Sequence, residues 1–250
     1  MMMDKIDYLF KVRDDVSTSL IVDAIYKGMG YKGIDIDKII EIYDLKGCST
    51  IKEVENKIHQ QTLNDKEKID NLLNKLNTMW NSVKTRFFDC LSESLEIKIN
   101  KNTLFNSYCY LQALPINELD RNGNIIYLDY NRPIDEVFKN FIVLVAKSIL
   151  LDKWDNLNGD IFSHSYESQN KIWLFADIAI DAIFAETHLS KLCSYPSYRY
   201  FYNLSINNVW FLFQFRKMYR KMEIDEFLNQ VYLFVYQNYT TLSKLRNYLY

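Results

Sequence analysis

The sequence contains few of the two residue types that interrupt helices and strands. Its 250 residues include only 6 glycines and 3 prolines, which favours long elements joined by few elaborate loops. A membrane-spanning segment is not expected in the apolar stretch before Trp154 either, because its uncharged run, Phe141 to Ala146, is far shorter than the ~18 residues expected of a membrane span. The first ten residues, MMMDKIDYLF, contain no basic region followed by an apolar run, so we expect no secretory signal.

Paired cysteines and an excess of one charge are absent as well. The four cysteines are dispersed without a CxxC pair, which indicates reduced thiols and a cytoplasmic protein. The net charge of −2 and the pI near 6.0 give no electrostatic reason to expect nucleic acid or an anionic membrane as partner. One segment, Phe215 to Met222, interleaves basic and aromatic residues, but acids follow directly. We therefore expect a solvated helix face there.

The stretch from Asn131 to Trp154 predicts a central core helix. Pro133 followed by two acids is typical of a helix start, and the residues beyond are apolar around nearly the whole circumference. A helix that is apolar on all sides is a buried one. Lys147 and Ser148 are the only polar interruptions of the apolar segment, and a lysine in such a place calls for an explanation.

Extended segments precede this helix. Leu95 to Asn100 alternates apolar and polar residues, Leu104 to Leu114 is aromatic and β-branched, and Ile125 to Tyr130 follows a turn signal at residues 120–124. We predict a small antiparallel sheet packed on the buried central helix. The expected fold class is α+β, mostly helical, with helical N- and C-terminal regions.

The change from helical to extended patterns and back predicts three regions. Residues 1–94 form a helical N-terminal region, residues 95–194 a core of sheet plus two helices, and residues 195–250 a helical C-terminal region. Within the first, Asp4 to Lys27 is predicted as one or two helices, and Thr50 with Glu53 forms a capping box. A longer helix should run from Asn64 or Asp65 to about Leu95.

The helix that follows the core helix carries a polar stripe. Asp177, Asp181 and His188 are spaced by four and seven residues, so at ~100° per residue they lie within about 40° of one another. Carboxylate and imidazole ligands suit zinc or a similar metal. The alternative is that this stripe faces solvent.

The order of these elements resembles a gluzincin-type zinc metallopeptidase domain over roughly residues 96–189. In that family one helix carries HExxH, with two zinc-ligand histidines and a glutamate base, and a second carries ExxxD, with a third ligand and an orienting aspartate. The first motif aligns here with Lys147-Ser148-Ile149-Leu150-Leu151 and the second with Asp177-Ile178-Ala179-Ile180-Asp181. Ligands at i and i+4 share one helix face, which leaves an open zinc position for water.

The departures from the motif imply that the hydrolytic site is lost. Lys147 and Leu151 replace both histidines, Ser148 replaces the glutamate base, and Asp177 is one methylene shorter than glutamate. Without a metal, Asp177 and Asp181 would need another positive charge. We therefore predict that the Lys147 ammonium pairs with one or both of them. The alternative is that Lys147 extends along its stem to solvent.

Three functions follow. The first is a catalytically degenerate metallopeptidase-like protein without a metal cofactor, which binds a peptide or protein, by strand addition for example, with Lys147, Ser148, Asp177 and Asp181 as candidate binding residues. The second is a metal-dependent hydrolase that uses zinc at Asp177, Asp181 and His188. The third is a helical protein-interaction module unrelated to peptidases. The sequence predicts neither the partner nor the oligomeric state.

Overall fold

Most of the described chain is α-helix. A computed structural model describes residues 2–12, 36–112, 118–120, 125–159, 166–192, 205–206 and 209–246. In chain order the elements are β1 (Met2–Val12), α1 (Ile36–Ile42), α2 (Ile51–Asn64), α3 (Lys66–Ser94), β2 (Lys98–Gln112), β3 (Glu118–Asp120), β4 (Ile125–Asp129), α4 (Ile134–Asn158), α5 (Tyr166–Glu186), a 3-10 helix (His188–Lys191), β5 (Ser205–Ile206), β6 (Val209–Trp210), α6 (Phe211–Tyr219) and α7 (Ile224–Arg246).

The chain forms two compact units, each built from separate segments. The first unit comprises residues 1–6, 81–105 and 142–249, and the second comprises residues 7–80, 106–141 and 250. The three regions predicted from the sequence, 1–94, 95–194 and 195–250, stay a prediction. Residues 142–158 of α4 belong to the first unit together with α5, α6 and α7.

The predicted antiparallel sheet is wrong. The strand order is β1-β2-β4-β3, and β2 and β4 run parallel, with Cys109 opposite Ile126 and Leu111 opposite Leu128. β3 lies antiparallel on β4 at the edge of the order. The two extended segments predicted before the turn form one strand, β2. Alternation reports which face of a strand is buried but not its direction, and β3 lies within the connection that parallel strands require.

The N-terminal helix prediction also fails where the structure describes it. β1 occupies Met2–Val12, and residues 13–27 lie outside the described part. Ile6, Leu9 and Phe10 suggested a helical stripe, but Ile6, Tyr8 and Phe10 alternate equally well. Such short apolar patterns do not separate helix from strand.

Helix α4 is buried as its composition predicts. Every residue from Phe141 to Leu151 is buried. Within the second unit the Phe141 ring packs edge-on against Trp80, with ring centres 5.1 Å apart, and contacts Phe10 of β1 at 4.9 Å. These large aromatic contacts hold the first turns of α4 against α3 and the sheet, because buried aromatic side chains contribute much apolar area.

A buried carboxylate fixes the turn between β4 and α4. One oxygen of Asp129 accepts a hydrogen bond from the Asn131 backbone N–H at 2.9 Å, and the other accepts one from the Arg132 Nε–H at 3.1 Å. Burial raises the pKa of Asp129, although both hydrogen bonds act in the opposite direction. The turn therefore carries a desolvation cost when Asp129 is ionised.

This cost predicts a pH dependence. Because the folded-state pKa of Asp129 is above its unfolded value, the folded protein binds more protons between the two values, and the free energy of unfolding falls as pH rises through that window. The free energy of unfolding of wild type, compared with that of Asp129→Asn, should therefore decrease as the pH rises from below about 4, the usual pKa of an aspartate. Denaturant unfolding of both proteins across this range measures the difference.

Asp44→Asn is a control of opposite sign. Asp44 accepts a hydrogen bond from the Lys57 ammonium at 2.5 Å, and this bond lowers its pKa. The contribution of Asp44 to the free energy of unfolding is present above the unfolded pKa and is lost as the pH falls. The free energy of unfolding of wild type should therefore increase relative to that of Asp44→Asn as the pH rises. A slope of the same sign for both variants would contradict the assignment.

Candidate functional site

Lys147 and Asp177 meet inside the first unit. The ammonium of Lys147 on α4 donates a hydrogen bond to an Asp177 carboxylate oxygen on α5, and the two residues are only 7% and 5% exposed. The predicted pairing is thus confirmed, and the alternative in which Lys147 reaches solvent is wrong. Lys147 lies in the middle of the buried segment from Phe141 to Leu151, where its ammonium has no route to water and therefore needs an opposite charge.

Asp181, one turn along α5, pairs with a different helix. It is fully buried, and one of its oxygens accepts hydrogen bonds from Arg216 Nε at 3.1 Å and Nη2 at 2.9 Å. The expected solvated face of the segment Phe215 to Met222 is therefore wrong at Arg216. Arg216 and Arg220 are four residues apart, a spacing that places two side chains on one face of a helix. This spacing was the available signal, because it suits a neighbouring helix that carries spaced acids.

Two further ion pairs extend this pattern in the first unit. Arg220, just beyond α6, donates from its Nε to the carboxylate of Glu186 at the end of α5, and this contact raises the pKa of Arg220. Lys153 on α4 is also buried, and its ammonium lies 2.6 Å from a carboxylate oxygen of Asp225 in the first turn of α7. The ion pairs of the first unit thus join α4 to α5, α5 to α6 and to the residue that follows α6, and α4 to α7.

The remaining candidate residues lie apart from any metal-like arrangement. Ser148 is buried beside Lys147 in the sequence, whereas His188 is exposed in the 3-10 helix that follows α5. Within the described residues, no three His, Cys, Asp or Glu side chains are grouped so that they would hold a metal ion. The structure therefore joins Asp177 to Lys147 and Asp181 to Arg216, and it does not gather Asp177, Asp181 and His188 into a metal site.

The geometry permits charge compensation more readily than catalysis. A general base must reach a substrate proton, and Asp177 and Asp181 are both buried and engaged by cations. A buried ion pair is a poor measure of stability in itself, but the removal of one partner leaves an uncompensated charge. The site accordingly fixes which faces of α4, α5 and α6 lie together.

Comparisons with known proteins supply no relative for this arrangement. No family model, no curated protein and no solved structure matches the chain. Among the described residues, no helix combines the length and the apolar character needed to cross a membrane. The binding roles of Lys147, Ser148, Asp177 and Asp181 stay predictions.

Replacement of Lys147 tests the buried pair. Lys147→Met keeps the apolar stem but leaves the Asp177 carboxylate without its cation, so the free energy of unfolding should fall by about 3–5 kcal/mol. Asp177→Asn should also destabilise, and the double variant should lose less than the sum of the two single losses. Denaturant unfolding of the four proteins gives the coupling.

The exposed Lys217 offers a matched control one residue beyond Arg216. Lys217→Met makes the same chemical change on the surface and should alter stability by no more than about 0.5 kcal/mol. Additive losses for Lys147→Met and Asp177→Asn would show that the two side chains do not stabilise each other.

Proposed function

We propose that this protein is a non-hydrolytic, metallopeptidase-like module that binds an extended peptide. The observation that carries the proposal is the buried hydrogen bond between Lys147 and Asp177. In the resemblance to gluzincins, position 147 corresponds to a zinc-ligand histidine and position 177 to the third ligand. An ammonium bound to the carboxylate occupies the place of the metal's charge.

Charge balance supports this account. A zinc ion brings two positive charges, and a single lysine replaces only one of them. Asp181 aligns with the aspartate that orients a zinc-ligand histidine in the family, and Leu151 stands in the place of one of the histidines. Here Arg216 donates two hydrogen bonds to Asp181, so the second acid has its own cation. Ser148 is no base at neutral pH, which argues against hydrolysis.

The sheet edge supports peptide binding. β3 pairs with β4 on one side, and no described strand pairs with its other side. An edge strand presents backbone N–H and C=O groups that an extended peptide can match by strand addition. β3 has only three residues, so we expect a weak site whose specificity comes from the side chains around it.

A cytoplasmic location belongs to the same proposal. The support is the state of the cysteines: Cys48, Cys90 and Cys109 are free thiols, as is typical of reducing compartments. The fourth, Cys193, lies outside the described residues.

Restoration of the motif tests the proposed ancestry. In a variant with Lys147→His and Leu151→His, two imidazoles four residues apart share one face of α4, and Asp177 lies beside the first of them. This variant should bind cobalt(II), a spectroscopic substitute for zinc, with the strong visible absorption of a tetrahedral site. Wild type should give no such spectrum.

The matched control adds Asp177→Asn to the two histidines. Because this change removes the third ligand, cobalt should bind much more weakly and the tetrahedral absorption should disappear. A histidine variant that folds, as judged by circular dichroism, but binds no cobalt would overturn the proposed ancestry. Binding that is indifferent to residue 177 would do the same.

Backbone methylation of a ligand tests strand addition. Peptides selected from a random library should lose affinity when alternate residues are N-methylated in one register and not in the other, because only alternate N–H groups of an added strand face β3. Two lost hydrogen bonds should weaken binding about tenfold or more, as measured by fluorescence anisotropy. A spin label on the peptide should broaden the amide resonances of residues 118–120. Equal effects of both registers, or broadening elsewhere only, would contradict the proposal.

A further inference from the structure

Two tyrosines of α7 hold a cation at the surface of the first unit. The Lys171 ammonium, from α5, lies 4.6 Å from the ring centre of Tyr236 and 5.0 Å from that of Tyr239. The spacing of three residues places both rings on one face of α7. Tyr236 nevertheless remains 59% exposed, so solvent still reaches the ring.

Aromatic neighbours hold the Tyr236 ring in place. The Tyr236 ring lies 6.3 Å from Tyr232, and Tyr232 packs on the buried Trp154, with ring centres 5.1 Å apart. Leu233, in the preceding turn of α7, is also exposed. The Tyr236 ring, which is anchored in this way, needs little reordering when a ligand arrives, and this lowers the cost of binding.

We propose that Tyr236 and Tyr239 form a recognition site for a quaternary ammonium group, and that Lys171 occupies it as an internal ligand. Aromatic faces attract cations through their quadrupole, and quaternary ammonium groups are common ligands of such faces. A lysine ammonium is compact and strongly hydrated, so it gives up more water to reach the rings than a methylated ammonium does. A methylated cation therefore loses less hydration at the rings than the Lys171 ammonium does, but Lys171 is attached to the protein and so lowers the apparent affinity of the external cation. This inference does not rest on the proposed peptide binding.

Tetramethylammonium is the probe for this site. In a titration followed by NMR of the tyrosine rings, wild type should show weak, saturable shifts at Tyr236 and Tyr239, and the Lys171 side-chain resonances should move towards exposed values. Lys171→Met should bind about tenfold more tightly if the lysine covers the rings about nine-tenths of the time. Potassium chloride at equal concentration controls for ionic strength.

Two further variants locate the effect. Tyr236→Leu in the Lys171→Met background should abolish the shifts, whereas Phe213→Leu, at an exposed aromatic residue of α6, should leave them unchanged. No tighter binding by Lys171→Met, or equal binding after Tyr236→Leu, would overturn the proposal. If Lys171→Met does not fold, unchanged Lys171 resonances in the wild-type titration would overturn it. Separate titrations with choline and with a trimethyl-lysine peptide distinguish a free ligand from a protein-borne one.

Discussion

The structure depends on a lysine that cannot leave the core. Lys147 is the only basic residue in the apolar segment of α4, and its ammonium must surrender its hydration on folding. Such a loss is tolerable only beside an opposite charge with good geometry. Asp177 supplies that charge from α5. Since neither group is stable alone in this environment, the pair selects one rotational setting of α4 against α5, which apolar contacts alone would define less sharply.

The same constraint recurs along α5. Asp181 is buried and pairs with Arg216 of α6, whereas Glu186, at the end of α5, pairs with Arg220, whose side chain is exposed. Sliding α6 by one turn in either direction would leave Asp181 or Glu186 without its arginine, because Arg216 and Arg220 are four residues apart. The buried pairs therefore act on register more than on net stability, because ion pairs in a protein interior roughly balance their desolvation against their attraction. Apolar packing supplies the driving force, and the charges select the arrangement.

The sequence predicts those parts of the fold and site that depend on local pattern. The Thr50–Glu53 capping box, helix α3 and the buried α4 follow from spacing and composition. A pairing of Lys147 with Asp177, Asp181 or both was predictable, because the apolar segment of α4 contains one lysine and the facing helix offers few acids, but the sequence did not select Asp177 over Asp181. The direction of β2 against β4 was not, since alternation is the same in parallel and antiparallel strands. Arg216 was missed because an arginine on an amphipathic helix resembles a surface residue until its neighbour is known.

The two cations bear on how the proposed loss of zinc would proceed. In such a site the acid at position 177 binds the zinc and the acid at position 181 contacts a zinc-ligand histidine, so the loss of the metal and the histidines would leave both acids without a partner, and one lysine neutralises only one of them. An ancestor that acquired Lys147 alone would have kept Asp181 buried and without its histidine, at a cost of several kcal/mol. Arg216 removes that cost, because its fork donates two hydrogen bonds to a single carboxylate oxygen. Under this proposal Lys147 on α4 and Arg216 on α6 together replace the metal site, because each compensates one of the two acids. Neither basic residue would then have been retained for long without the other.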